Sequence, residues 1–325
     1  MSGIAVLGAG AFGMALAAVH GFEGRRVTLW GRDPARMAAL DANRGDPDRL
    51  PGVVLPDGVA CTADIGRVAD AQVLLIVVSA QNTGAFLAER GADLPPVPLV
   101  LCAKGIDAGT LRLQTEIAAD ALPEAKMAAR LAALTGPGFA GEIARNLPSA
   151  LTLACADATL GQSLQARLAA RRLRLYLTDD VIGAQIGGAL KNVIAIACGM
   201  AEGAGLGHSA RAALMTRGFA EMTRLGVALG ARAETLAGLS GLGDLSLTCN
   251  STQSRNFALG KAMGAGAARP GGTVEGVATA RAASTLSARH GVEMPIAAAV
   301  ADVLEGRLTI DGAMDALLSR PLRDE

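Results

Sequence analysis

Aromatic residues are nearly missing from this chain: one tryptophan, one tyrosine and six phenylalanines make up 2% of its 325 residues. A surface that reads nucleic-acid bases by stacking lacks its tools here. No sign of charge is in excess either, since 30 lysines and arginines balance 30 aspartates and glutamates and the isoelectric point is near 6.8. No global positive field recruits nucleic acid or anionic lipid, so neither is expected as a partner and small molecules are. The five cysteines, at 61, 102, 155, 198 and 249, are odd in number and form no C-x-x-C pair, which fits reduced thiols in a cytoplasm. The three histidines, at 20, 208 and 290, give no zinc spacing, and no metal is expected. The apolar N-terminus has no basic n-region, so no targeting segment is expected. Glycine, by contrast, is abundant at 41 residues, in a composition that is 51% hydrophobic. Closely packed helices and glycine-rich turns suit it, and the length suits about two domains.

One stretch organises the rest. Residues 181–201, VIGAQIGGALKNVIAIACGMA, contain a single charge, Lys191. At helical spacing Ala184, Gly188, Lys191 and Ala195 share a face, so the ammonium projects from a surface that another molecule can approach closely. The run is long enough to span a bilayer at about 20 residues. Gln185, Lys191, Asn192 and four glycines weaken that reading, no second span accompanies it, and a buried helix with a desolvated lysine is expected instead.

From the N-terminus, apolar residues 4–7 lead into Gly8-Ala9-Gly10-Ala11-Phe12-Gly13 and an alanine-rich helical stretch. Strand, G-x-G-x-x-G turn and helix in that order predict a dinucleotide site: Gly8 for the turn, Gly10 for close approach to a pyrophosphate, Gly13 for helix–strand packing. Residues 26–30 read as a second strand, followed by Gly31-Arg32-Asp33. A carboxylate there would suit ribose hydroxyls and an arginine the 2′-phosphate of NADP; Arg32 comes first, which favours NADP or dual use. Residues 41–57 are polar with three prolines and glycines and read as a loop. Residues 72–78 and 98–103 are continuous apolar runs of buried strands, the second ending in Lys104, where an anionic substrate of a parallel sheet would lie. Residues 130–135 give another strand, and Gly136-Pro137-Gly138-Phe139 opens a helix through Glu142, a junction whose backbone donors suit an anion. Residues 150–155 and 173–178 complete the strands, the second alternating as an exposed edge does.

After Asp179-Asp180 the pattern turns helical, with helices expected at 211–229, 234–239 and 273–290. Two loops interrupt them: residues 238–244, GLSGLGD, supply flexible backbone and a carboxylate, and residues 251–256, STQSRN, gather hydroxyl, guanidinium and amide groups that suit a phosphate. Ser254 also reads as a helix cap that needs no ligand.

Together these segments resemble the bacterial-type NAD(P)-dependent glycerol-3-phosphate dehydrogenases over nearly the whole chain. The likeness rests on GAGAFGMALA, LCAKGI around Lys104, TGPGFAGE at 135–142, IGGALKNVIAIACG around Lys191, GLSGLGDLSLTC around Asp244, SRN at 254–256 and VEGVATA from 274. The resemblance implies an α/β chain with an N-terminal Rossmann domain over 1–180 and an all-helical C-terminal domain over 181–325. It implies NAD(H) or NADP(H) as cofactor and reversible reduction of dihydroxyacetone phosphate to sn-glycerol 3-phosphate, a phospholipid precursor. Lys191 would be the acid/base. Lys104, Gly136, Gly138, Asp244, Ser254, Arg255 and Asn256 would join it in holding substrate. Gly8, Gly10, Ala11, Phe12, Gly13, Arg32, Lys104, Ala140, Arg255 and Glu275 would meet the cofactor. One departure stands out: where many members carry serine or threonine, this chain has Gly138, and a hydroxyl contact is lost.

The chemistry agrees with these residues. Hydride reaching a ketone carbon puts negative charge on its oxygen, which a lysine ammonium can stabilise and protonate. Burial and Lys104 would lower the pKa of Lys191, while Asp244 would raise it. A cytoplasmic homodimer is the expected form. Rival expectations are a related Rossmann dehydrogenase acting on a hydroxyacid or sugar acid, and a dinucleotide sensor without catalysis.

Overall fold

A computed structural model of the chain describes residues 3–122 and 131–320. It divides into two compact units, Met1–Lys104 with Leu113–Ala184, and Gly105–Arg112 with Gln185–Glu325.

The first unit is built on eight strands: β1 (Gly3–Leu7), β2 (Val27–Trp30), β3 (Val59–Thr62), β4 (Ala71–Ile76), β5 (Leu99–Leu101), β6 (Leu131–Thr135), β7 (Ser149–Ala154) and β8 (Leu173–Thr178). Their spatial order is β3-β2-β1-β4-β5-β6-β7-β8, parallel throughout except between β6 and β7. The central strands are apolar at nearly every position because both faces are covered, Gln72 at the exposed start of β4 apart. Strand alternation sorts them: Ile4, Val6, Val73 and Leu75 enter one core with Met14 and Leu16 of α1 (Ala11–Phe22) and Leu40 of α2 (Pro34–Asn43). Ala5, Leu7, Leu74 and Ile76 enter the other, with Leu87 of α3 (Thr83–Arg90) and Ala118 of α4 (Gln114–Ala121). Two short-loop helices, α5 (Ala140–Ala144) and α6 (Ala158–Leu168), follow β6 and β7. β8 forms the expected edge, with Leu173 and Leu175 buried and Arg174 and Tyr176 exposed.

One sequence expectation needs adjustment, and one strand was not expected. Residues 41–43 are helical, because Asp33 caps α2, Pro34 starts it, and only at Arg44, with φ 54°, does the chain turn left-handed. The edge strand β3, four residues long, carries too short a pattern to stand out. The expected start of β6 at Arg130 lies outside the described residues.

The second unit takes most of α7 (Val181–Gly203), then α8 (Gly207–Ala228), α9 (Ala233–Ala237), α10 (Asp244–Cys249), α11 (Arg255–Gly264), α12 (Glu275–Arg289), α13 (Pro295–Leu304) and α14 (Ile310–Leu318). Among the described residues α7 is the one helix long and apolar enough to cross a membrane, and 89% of its most apolar window is buried inside the protein. Its glycines explain how closely it is packed. A Cβ on Gly199 or Gly203 would overlap the carbonyl oxygens of Phe257 or Lys261, and one on Gly260 or Gly264 those of Ile196 or Met200. α7 and α11 thus cross at backbone contact through two pairs of glycines spaced four apart. The segment expected as a flexible loop, GLSGLGD, is instead a π-helical turn over Leu239–Gly243 that runs directly into α10. Ser240 and Gly241 in it are buried against α7, where a Cβ on Gly187 would lie 2.7 Å from the Ser240 carbonyl oxygen.

Candidate active site

In the first unit, β1, β2, β4, β5 and β6 run parallel, so their carboxyl ends line one edge, where ligands of such sheets bind. The turn after β1 behaves as its glycines predict. Gly8 has φ +123° and no room for a side chain, since a Cβ would sit 2.7 Å from the Val77 carbonyl carbon. A Cβ on Gly13 would run into the Gly8 carbonyl, whereas one on Gly10 would meet nothing within 4 Å. The open side is therefore at Gly10, the N-cap of α1, where no side chain caps the helix and no acidic residue occupies its first turn. The N–H groups of Ala11, Phe12 and Gly13 have no intrahelical acceptor there. This cradle fits the pyrophosphate of a dinucleotide.

Lys104, beyond β5, ties this turn to the next. Its Nζ donates to the Gly136 carbonyl at 2.8 Å and lies 5.7 Å from the centroid of the Phe12 ring. Gly136 has φ +110°, which lets the chain leave β6 and reach α5 at Ala140. At Gly138 a Cβ would lie 2.9 Å from Ile143 Cδ1 and 3.2 Å from Leu151 Cδ2, so apolar side chains fill the space where a hydroxyl-bearing residue would begin. Beyond β2, Arg32 is exposed and bonds to none of the described residues. Asp33 Oδ1 accepts from Arg36 N at 3.1 Å as the cap of α2.

In the second unit, Lys191 on α7 meets Asp244 at the start of α10. Its Nζ donates to Asp244 Oδ1 at 2.8 Å and to Thr248 Oγ1 at 2.9 Å. All three residues are buried, Lys191 at 8% and Asp244 at 1% exposure. Thr248, one helical turn after Asp244, donates its hydroxyl to the Asp244 carbonyl at 2.6 Å, which leaves the oxygen's lone pairs to receive the ammonium. The pairing favours the charged lysine, held by two acceptors in a dry site. Behind it the Cys249 thiol is pushed well above its ordinary pKa by its hydrogen bond to Cys198 and by burial, so it adds no charge.

The SRN segment forms the start of α11. Ser254 Oγ accepts from Phe257 N at 3.2 Å, so the hydroxyl does cap the helix and keeps its own proton for donation. Asn256 donates to Asn192 Oδ1 at 2.8 Å and accepts from Gly276 N at 2.9 Å, next to Glu275 at the start of α12. Arg255 itself is exposed. Asn192 follows Lys191 directly, so one bond joins the lysine's helix to the polar cap of α11.

The structure thus gathers Gly8, Gly10, Ala11, Phe12, Lys104 and Gly136 in one unit, and Lys191, Asp244, Ser254, Asn256 and Glu275 in the other. Thr248 and Asn192 were not singled out from sequence. The signals for them were position alone, one turn after Asp244 and one residue after Lys191.

Residues 3–161 match the family model described as NAD-dependent glycerol-3-phosphate dehydrogenase N-terminus, and residues 180–315 match its C-terminus counterpart. A glycerol-3-phosphate dehydrogenase [NAD(P)+] of Paracoccus denitrificans is 54% identical over 325 residues, covering 99% of each chain. One from Cereibacter sphaeroides is 54% identical over 323 residues, covering 99% of this chain and all of the other. The crystal structure of a glycerol-3-phosphate dehydrogenase from Coxiella burnetii superposes with a TM-score of 0.91 at 34% identity, over 98% of this chain and 99% of that one.

Proposed function

The chain belongs to the NAD-dependent glycerol-3-phosphate dehydrogenase family, and from that premise we propose that it reduces dihydroxyacetone phosphate reversibly to sn-glycerol 3-phosphate, with Lys191 as the acid/base. NAD(P)H, when bound, supplies the hydride. Residues 1–180 hold most of it: the α1 N-terminus with Gly8, Gly10, Ala11, Phe12 and Gly13 takes the pyrophosphate, and Arg32, Lys104 and Ala140 complete its surroundings there, with Arg255 and Glu275 contributed from 181–325. Residues 181–325 supply the proton and the substrate's anchor. Lys191 donates a proton to the ketone oxygen as charge develops there and becomes a neutral amine, and Asp244 and Thr248 keep its Nζ aimed before and after the transfer. Ser254, Arg255 and Asn256, at the start of α11, grip the phosphate through side chains and helix N–H groups, which holds the carbonyl in reacting position. Lys104, Gly136 and Gly138 add further substrate contacts, Gly138 through its backbone alone.

The observation that carries this reading is the buried Lys191–Asp244–Thr248 cluster on a family-matched helix, since a lysine in so apolar a segment needs a chemical reason. The product would feed phospholipid synthesis. Five free thiols, four of them buried, support a reducing cytoplasm, and two copies of the chain are proposed to pair. The test is NADPH oxidation with dihydroxyacetone phosphate by wild type and Lys191→Ala. Loss of a general acid should cut turnover roughly 10²–10⁴-fold with cofactor still bound. Wild-type enzyme that binds NADPH but leaves this ketone untouched would refute the reaction.

A further inference from the structure

A cofactor that carries a 2′-phosphate differs from one that does not at a single place, the adenosine ribose, which in sheets of this order lies beyond β2. Among the described residues the carboxylates beside that place are tied into local structure. Asp33 caps α2. Asp46 Oδ2 accepts from Arg36 Nε at 2.9 Å and from Arg36 Nη2 at 2.8 Å, while its Oδ1 accepts from Arg49 N at 3.1 Å. Arg49 Nε stands 3.9 Å from the same carboxylate. The acceptor left for a ribose hydroxyl is Oδ2 of Asp33, on a carboxylate already committed to the helix cap, which weakens the usual selection for the non-phosphorylated cofactor.

Arg36 is held from a second side as well. Its Nη2 donates to the carbonyl of Ala9, inside the glycine-rich turn itself. The guanidinium is fixed between that turn and Asp46, with its side chain 27% exposed. Both hydrogens of Nη1 are left without a partner among the described residues. Arg32, four residues earlier and also without a bond, supplies a second guanidinium. Two arginine donors, one of them immobilised before any ligand arrives, match a phosphate dianion and not a hydroxyl.

We propose that Arg36, positioned by Asp46 and the Ala9 carbonyl, is a specificity-determining residue that makes this enzyme favour NADPH through the 2′-phosphate. The proposal rests on the dehydrogenase reading given above. Asp46 has a double part in it: it aligns the guanidinium and also offsets part of its charge.

The test uses fragments of the cofactor's adenosine end, so that it does not depend on turnover. The full chain is titrated calorimetrically with 2′,5′-ADP and with ADP. Charge-assisted bonds to the phosphate predict that Arg36→Ala weakens 2′,5′-ADP by roughly 10- to 100-fold while ADP changes by less than about threefold. Arg36→Lys keeps the charge without the fork and should also lose 2′,5′-ADP selectively, which covers the case where the alanine variant fails to fold. Asp46→Asn leaves the Ala9 tether and removes the offsetting charge, so 2′,5′-ADP should bind tighter with ADP unchanged. Equal losses of both fragments in either Arg36 variant, or weaker binding of both in Asp46→Asn, would reduce Arg36 to a structural brace and overturn the proposal. Turnover of dihydroxyacetone phosphate by wild type, measured alongside, separates this result from the reaction: selective fragment binding without turnover would sink the reaction and leave the specificity residue standing.

Discussion

Breaking the Lys191–Asp244 pair from either side should cost nearly as much as removing it whole. At 2.8 Å and an effective dielectric near 20, the attraction between the two charges is about 6 kcal/mol before desolvation is counted. Their side chains are only 10% and 2% exposed, so neither can turn to water when its partner goes. Asp244→Asn leaves a buried ammonium facing an amide, and Lys191→Met leaves a buried carboxylate facing a thioether. Each single change should cost on the order of 3–5 kcal/mol, whereas the double variant, with no charge left to desolvate, should cost well under their sum. The coupling is predicted at about 2–4 kcal/mol. Urea unfolding followed by far-UV ellipticity reports it, because helices dominate the second unit. Fluorescence of Trp30, the chain's one tryptophan, follows the first unit and should barely move. Additive losses, or single variants within about 1 kcal/mol of wild type, would mean that the pair is hydrated and that the dry ammonium assumed for catalysis does not exist.

Two further outcomes follow from the packing. Gly187→Ala places a Cβ 2.7 Å from the Ser240 carbonyl oxygen and 2.9 Å from Gly241 Cα, so it should destabilise by about 1–3 kcal/mol although alanine favours helix by up to about 1 kcal/mol. Turnover should fall while NADPH binding holds, and a rise in Tm would show that the two segments are not in contact. Glu221 on α8 accepts from the N–H groups of Ile296 and Ala297 at the start of α13, at 2.7 and 3.1 Å, and burial raises its pKa from 4.5 to about 7. The folded state therefore holds a proton that the unfolded chain releases between those values. The Glu221 contribution to stability is full below about pH 4.5 and is lost as pH rises through about 7, a difference on the order of 3 kcal/mol. Glu221→Gln should flatten the fall in Tm between those pH values, and parallel curves for the two proteins would contradict the shift.

What could be seen in the sequence was chemistry that is local. Gly8, Gly10 and Gly13 form a turn written in six consecutive residues: Gly8 has a positive φ, Gly13 packs against the Gly8 carbonyl, and a Cβ at Gly10 would meet nothing within 4 Å. Lys191 was visible because a charge inside an apolar run is itself an anomaly. Pairings across long separations were not visible: Arg36 reaches Ala9 27 residues away, Lys191 meets Thr248 after 57, and Asn192 meets Asn256 after 64. The GLSGLGD segment misled for a physical reason. Glycine marks flexibility when solvent surrounds it, but here Gly241 is pressed against Leu236 and the helix α7, and the same lack of side chains allows burial instead.

That use of glycine ties the unusual composition to the site. With few aromatic side chains to fill space between helices, the elements of the second unit approach until backbones touch, and such contacts leave less play than interdigitated side chains do. The contacts fall one turn from the functional groups. Gly187 touches Ser240, and four residues on from each stand Lys191 and Asp244, the two ends of the ion pair. Gly260 touches Ile196, and four residues back from each stand Asn256 and Asn192, the two ends of the amide bridge. In both cases a backbone contact sets the separation of two helices within one turn of where a polar pair must close to 2.8 Å. A larger residue at either crossing would widen the gap that those side chains span, so the glycines position Lys191 and the cap of α11 without touching any ligand.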